Sequence, residues 1–292
     1  MKNKIFAAIL ILAITVLFNA CQPAPAGKDV PLTVTVSILP EKYFVERIGG
    51  EHVAVNVMVG PGESPHSYEP KPEQMAALSR SALYFSIGVE FEDAWLEKIT
   101  SANPAMRVVD LAQPIQKIPM VAPAHEGEEE GTLDPHIWVS TQHVRVFAQD
   151  IYQALVEVDE TNQLEYQANL ESFLKDIDAL EEEMRASLSG LTSKSFFVFH
   201  PAWGYLARDF GLEQKAIEIS GSEPSAQELA GIIDEAKAES VQVIFAQSEF
   251  STRTAEYVAQ EINGKVILIS SLEENWLENM RHVAQTFAQV MK

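Results

Sequence analysis

One rhythm limits what this chain can fold into: short apolar runs rich in Val, Ile and Phe alternate with longer amphipathic segments, and the pattern restarts past the middle. In the first half, residues 32–38, 53–59, 83–87 and 107–111 read as strands. Between them, 40–48, 72–79 and 91–100 read as helices, the first closed by Gly49-Gly50. After residue 194 the rhythm resumes with strands at 196–199, 216–219, 241–245 and 266–269. Helices fall at 202–210, 224–238, 252–262 and 272–291. Strand–helix alternation implies parallel sheets covered by helices on both faces. The expected fold class is therefore α/β, with two parallel-sheet lobes at residues 32–158 and 191–292. The halves share architecture and no evident sequence identity, so they are not read as a repeat.

Between the lobes, residues 160–188 contain neither Pro nor Gly, and Leu170, Phe173, Leu174, Ile177, Leu180, Met184 and Leu188 recur at helical spacing. Such a helix, placed at 159–190, would be roughly 40 Å long at 1.5 Å per residue. It either braces both lobes or lies as an ordinary amphipathic helix within one domain.

The amino terminus has the layout of an export signal: Lys2 and Lys4, an apolar run over 5–18, then Asn19-Ala20-Cys21. The run is too short for a convincing permanent span, which needs roughly 20 apolar residues. Residues 1–20 are read as the signal peptide. Cys21, the only cysteine, is the expected lipidation site, and residues 21–31 are the tether behind it. The expected location is the membrane surface, on its periplasmic or extracytoplasmic side. Loss of residues 1–20 removes two of 21 basic groups and none of 42 acidic ones, taking the net charge from -21 to -23. A surface this acidic excludes nucleic acid as a partner and favours cations and basic partner surfaces.

Three of the seven histidines sit in punctuated turns: His66 in PGESPHSYEP, His136 in LDPHIW and His200 in VFHPAWGY. Open α/β sheets bind ligands beyond the carboxyl ends of their strands, where His200 stands directly after the run 196–199. His66 follows the strand at 53–59, and His136 precedes a helix whose start Ser140 marks. Their natural meeting place is the cleft between the lobes. Three imidazoles favour zinc over magnesium or calcium, which prefer oxygen donors. If all three titrate near ~6.5, zinc affinity falls between about pH 7 and 5. His52, His143 and His282 fall in strand or helix segments and read as surface or packing residues, whereas His125 lies in an acidic run at 125–131.

The segments GPGESPHSYEP, DPHIW and FHPAWGYLARDFGL resemble motifs of the zinc-binding solute-binding lipoproteins of bacterial metal ABC importers. The similarity extends over about residues 32–292. It implies two α/β lobes joined by one long rigid helix, with the metal in the cleft between them. It also implies Zn2+ as the transported ligand, His66, His136 and His200 as its ligands, and an ABC permease as the partner of a monomeric, lipid-anchored chain. Manganese-specific relatives generally carry a carboxylate where His200 stands, so nitrogen there favours zinc. The chain departs from the pattern twice. The loop around His125 is poor in histidine, and Ile269-Ser270-Ser271 replaces a leucine-aspartate-proline whose aspartate ligates in many relatives. Water or one of Glu63, Glu249, Glu273 and Glu274 is then expected as fourth ligand.

Zinc uptake is the leading function. A manganese-importer component and a metal-dependent adhesin share the same features. A secreted zinc hydrolase would need a general base and a substrate pocket, and the chain has no HExxH helix, nucleophile elbow or dinucleotide-binding glycine pattern. The protein is therefore not expected to be an enzyme.

Overall fold

A computed structural model of the protein describes residues 30–120, 132–219 and 221–291. The signal peptide, Cys21, most of the tether and His125 with its acidic run lie outside the described residues. Two four-stranded parallel sheets carry the fold, in agreement with the expected class. In the first, β1 (Leu32–Val36), β2 (Val53–Val57), β3 (Leu83–Ser86) and β4 (Arg107–Asp110) lie in the order β2-β1-β3-β4. In the second, β5 (Ser195–Val198), β6 (Glu213–Ala216), β7 (Val243–Ala246) and β8 (Lys265–Leu268) lie in the order β6-β5-β7-β8. Strand order reverses beside β1 and again beside β5, which places each sheet's ligand-binding crevice at the ends of those strands.

Three helices accompany the first sheet: α1 (Leu39–Gly49), α2 (Pro72–Leu78) and α3 (Glu90–Ala102). Next come α4 (Thr141–Val158) and α5 (Gln163–Leu188), then α6 (Gly204–Phe210), α7 (Ala226–Ala238), α8 (Arg253–Glu261) and α9 (Trp276–Val290). The Ser140 side chain accepts from the His143 amide and so starts α4. Helix α5 buries Phe173, Ile177, Leu180, Met184 and Leu188 of the expected stripe, half-buries Leu170 and Leu174, and adds Tyr166 to the same buried set. It packs against α1, α4 and α9. Phe44 of α1 sits at the centre of this junction, with ring centroids 5.4 Å from Trp276, 6.0 Å from Phe173 and 6.5 Å from Phe147. Such contacts resist any rotation of one sheet against the other, because packed aromatic cores have few alternative arrangements.

Polar bonds reinforce the same junction. The Trp138 indole donates to the Ser271 carbonyl and the Trp276 indole to the Trp138 carbonyl, both at 2.8 Å. The strand expected at 216–219 lies three residues earlier, at Glu213–Ala216. Its sequence, Glu-Gln-Lys-Ala, hides it because Gln214 is buried through a bond its side-chain oxygen accepts from the Trp203 amide. The apolar residues that follow carry the chain past the sheet end to Glu218. His52 also departs from expectation, standing in a 3-10 turn (Gly50–His52) ahead of β2. His143 is buried in α4, and His282 is exposed on α9.

Candidate metal centre

Each histidine is delivered by a separate loop that is itself pinned. The His66 loop leaves β2 through a turn in which Gly62 has φ +74°. There the Gly60 amide donates to Glu63, and Glu63 pairs with Lys71 at 2.8 Å. Gln74 holds the loop's far side, accepting from the Tyr68 hydroxyl and donating to the carbonyls of Val57 and Met58. His136 follows Asp134 and Pro135 and enters a 3-10 turn at Ile137–Val139. His200 follows β5, and its carbonyl accepts from the Gln247 side chain at the end of β7. Tyr205 of α6 anchors both flanks of the segment before His136: its hydroxyl donates to the Asp134 carbonyl and accepts from the Ile118 amide.

The three rings converge through Nε2. His66 Nε2 lies 3.0 Å from His200 Nε2, and His200 Nε2 lies 3.1 Å from His136 Nε2. A tetrahedral zinc with bonds of about 2.05 Å would separate its nitrogens by roughly 3.3 Å, so a shift of a few tenths of an ångström fits the ion. Every Nδ1 meets a carboxylate: His66 meets Glu90 at 2.9 Å, His136 meets Asp134 at 2.8 Å and His200 meets Glu218 at 3.1 Å. An ionised carboxylate only accepts, so the proton sits on Nδ1 and each Nε2 turns a bare lone pair inward. Lone pairs this close repel unless a cation or a proton lies among them. Carboxylates on the far nitrogens also raise ligand basicity and hold the rings in place, as in metal sites generally.

Burial pushes the His200 imidazole down to about 4, with His136 and His66 adding to the depression and Glu218 opposing it. Proton competition at His200 therefore centres below the pH 7 to 5 window expected for three ordinary imidazoles. Glu90 lies below the ordinary carboxylate range: burial acts to raise it, but its hydrogen bond to His66 and its electrostatic attraction to that ring outweigh burial. Phe250 stacks on His200 at 4.5 Å and excludes water from one face of the site.

Of the four glutamates considered as a fourth ligand, Glu249 alone lines the small cavity of about 10 Å³ touched by all three histidines. It is half-buried and accepts from the Ser270 hydroxyl. Glu63 is engaged by Lys71, Glu274 pairs with Lys42 at 2.5 Å, and Glu273 is exposed. A larger cleft of about 640 Å³ opens over His66 and His200. Sequence reasoning missed Glu90, Glu218 and Asp134. Only Asp134 carried a local signal, standing two residues before His136.

Comparison with known proteins gives a consistent answer. The family model described as "Zinc-uptake complex component A periplasmic" matches residues 34–290. A solved structure, "Crystal structure of ZnuA", is 42% identical and covers 90% of this chain and 100% of its own, with a TM-score of 0.84. The high-affinity zinc uptake system protein ZnuA of Bacillus subtilis is 26% identical over 92% of this chain and 87% of that protein. The manganese-binding lipoprotein MntA of Halalkalibacterium halodurans is 25% identical over 98% of each.

Proposed function

We propose that this chain, which belongs to the zinc-uptake complex component A family, captures Zn2+ outside the cytoplasm and hands it to an ABC-type permease in the membrane. One observation carries the reading: His200 Nε2 lies within hydrogen-bond distance of both His66 Nε2 and His136 Nε2 while every Nδ1 is held by a carboxylate. This donor set is built for a borderline-soft cation. Three nitrogens favour zinc over manganese, which prefers carboxylate and carbonyl oxygens. No step of covalent chemistry is needed: the ion is cargo, and the protein supplies ligands, a fixed geometry and an acidic field that concentrates cations. Glu249 is the protein group that completes the coordination sphere, or that accepts a hydrogen bond from a water which does. Lipid on Cys21 keeps the carrier beside its permease, and the braced α5 junction favours release by loop rearrangement over rotation of whole sheets.

Metal analysis of the purified protein beside His66→Ala, His136→Ala and His200→Ala tests the reading. The unsubstituted chain should retain one tightly bound zinc, and each variant should lose it. One tightly bound zinc per chain in all three variants would overturn the assignment.

A further inference from the structure

Among the described residues, two groups of side chains bring metal-ligating atoms within 4.8 Å of one another: the three histidines above, and Glu51, His52 and Glu165. We infer that the second group is a separate, weaker site for a divalent transition-metal cation, one that clamps the turn before β2 to the first turn of α5. It stands on the other trio's failure or success in no way, since it shares no residue with it.

His52 Nε2 already lies 3.0 Å from Glu165 Oε2. A zinc bonded to nitrogen and oxygen at about 2.0 to 2.2 Å spans roughly 3.3 Å between them, so the ion enters by a small parting of the two groups. Glu51, the adjacent residue of the same 3-10 turn, supplies the third donor. The site's two halves are held together without any ion. The Asn169 side chain on α5 donates to the Ile48 carbonyl at the end of α1 at 3.0 Å, and the His52 ring packs edge-on against Tyr166 at 5.9 Å. Asp159, which accepts from Asn162 and Tyr166, adds a third fixed negative charge nearby without being free to swing away. One nitrogen and two carboxylates form a mixed donor set on which first-row cations follow the general order, with zinc above manganese. Its carboxylates are exposed, Glu165 at 53%, so ordering them costs side-chain entropy and leaves the ion partly hydrated. The site therefore fills only after the three-histidine centre, when the cation is abundant.

Equilibrium dialysis of the metal-free chain against rising Zn2+ tests this. Two equivalents are expected, the second bound roughly 100-fold or more weakly than the first. His52→Ala and Glu165→Gln should each lose the second equivalent and keep the first, which also shows that they fold. His136→Ala should lose the first and keep the second. In the unsubstituted chain, filling the second site should raise Tm further, and in His52→Ala it should not. Saturation at one equivalent would overturn the inference. So would a second equivalent that survives in both His52→Ala and Glu165→Gln, or that disappears in His125→Ala, since either places the ion elsewhere.

Discussion

Asp134 offers the sharpest test of how the histidine centre works. One of its oxygens, Oδ1, accepts both the His136 amide at 2.9 Å and His136 Nδ1 at 2.8 Å, and the side chain is buried. Asp134→Asn keeps an oxygen able to accept both bonds but removes the charge that strengthens them. Asp134→Ala removes the acceptor as well, freeing the ring to rotate and to place its proton on Nε2, where it would block the ion. Outer partners of metal-bound histidines are typically worth 10- to 100-fold in affinity. The expected losses are about 10-fold for Asn, about 1.4 kcal/mol, and about 100-fold for Ala, about 2.7 kcal/mol. Competition with a chromophoric zinc chelator at pH 7.5 measures both, and thermal melting of the metal-free proteins separates lost affinity from lost fold. A folded Asp134→Ala variant that binds zinc within twofold of the unsubstituted chain would refute the claim that the carboxylate sets the ring's tautomer and position.

Other expectations follow from the same geometry. A Cβ on Gly204 would meet Asp134 Oδ2 at 2.7 Å, so Gly204→Ala should displace the carboxylate and weaken zinc binding severalfold, with competition titration as the measure. His200 titrates near 4 in the native protein against ~6.5 when unfolded, so the unfolded chain takes up its proton first as pH falls. Metal-free stability should therefore be fully present above about pH 6.5 and decline toward pH 4, by about 3 kcal/mol from this group, and His200→Gln should flatten that part of the urea-denaturation profile. Glu249→Gln should lower zinc affinity, while Glu63→Gln and Glu274→Gln leave it within about twofold. Equal losses in all three would remove Glu249's special place at the cavity.

Much of the fold was legible because burial writes a period into sequence. The stripe from Leu170 to Leu188 announced α5, and the apolar runs around Val34, Phe85, Phe197 and Ile244 announced central strands. The exception is instructive: β6 carries Glu, Gln and Lys, and its one deeply buried polar side chain, Gln214, is reconciled to the core only by a tertiary hydrogen bond. The ligand candidates were legible because turn residues bracket His66, His136 and His200, and because Pro and aromatic neighbours mark element ends.

Sequence by itself thus determined the architecture and singled out three histidines as ligand candidates, since periodicity and side-chain chemistry are local properties. Tertiary structure alone decided which carboxylate faces which ring, that Glu249 and not Glu63 lines the cavity, and that His52 meets Glu165 across 113 residues of chain. Those pairings depend on how loops from different strands meet, and contacts between residues distant in sequence leave no mark on the spacing of either.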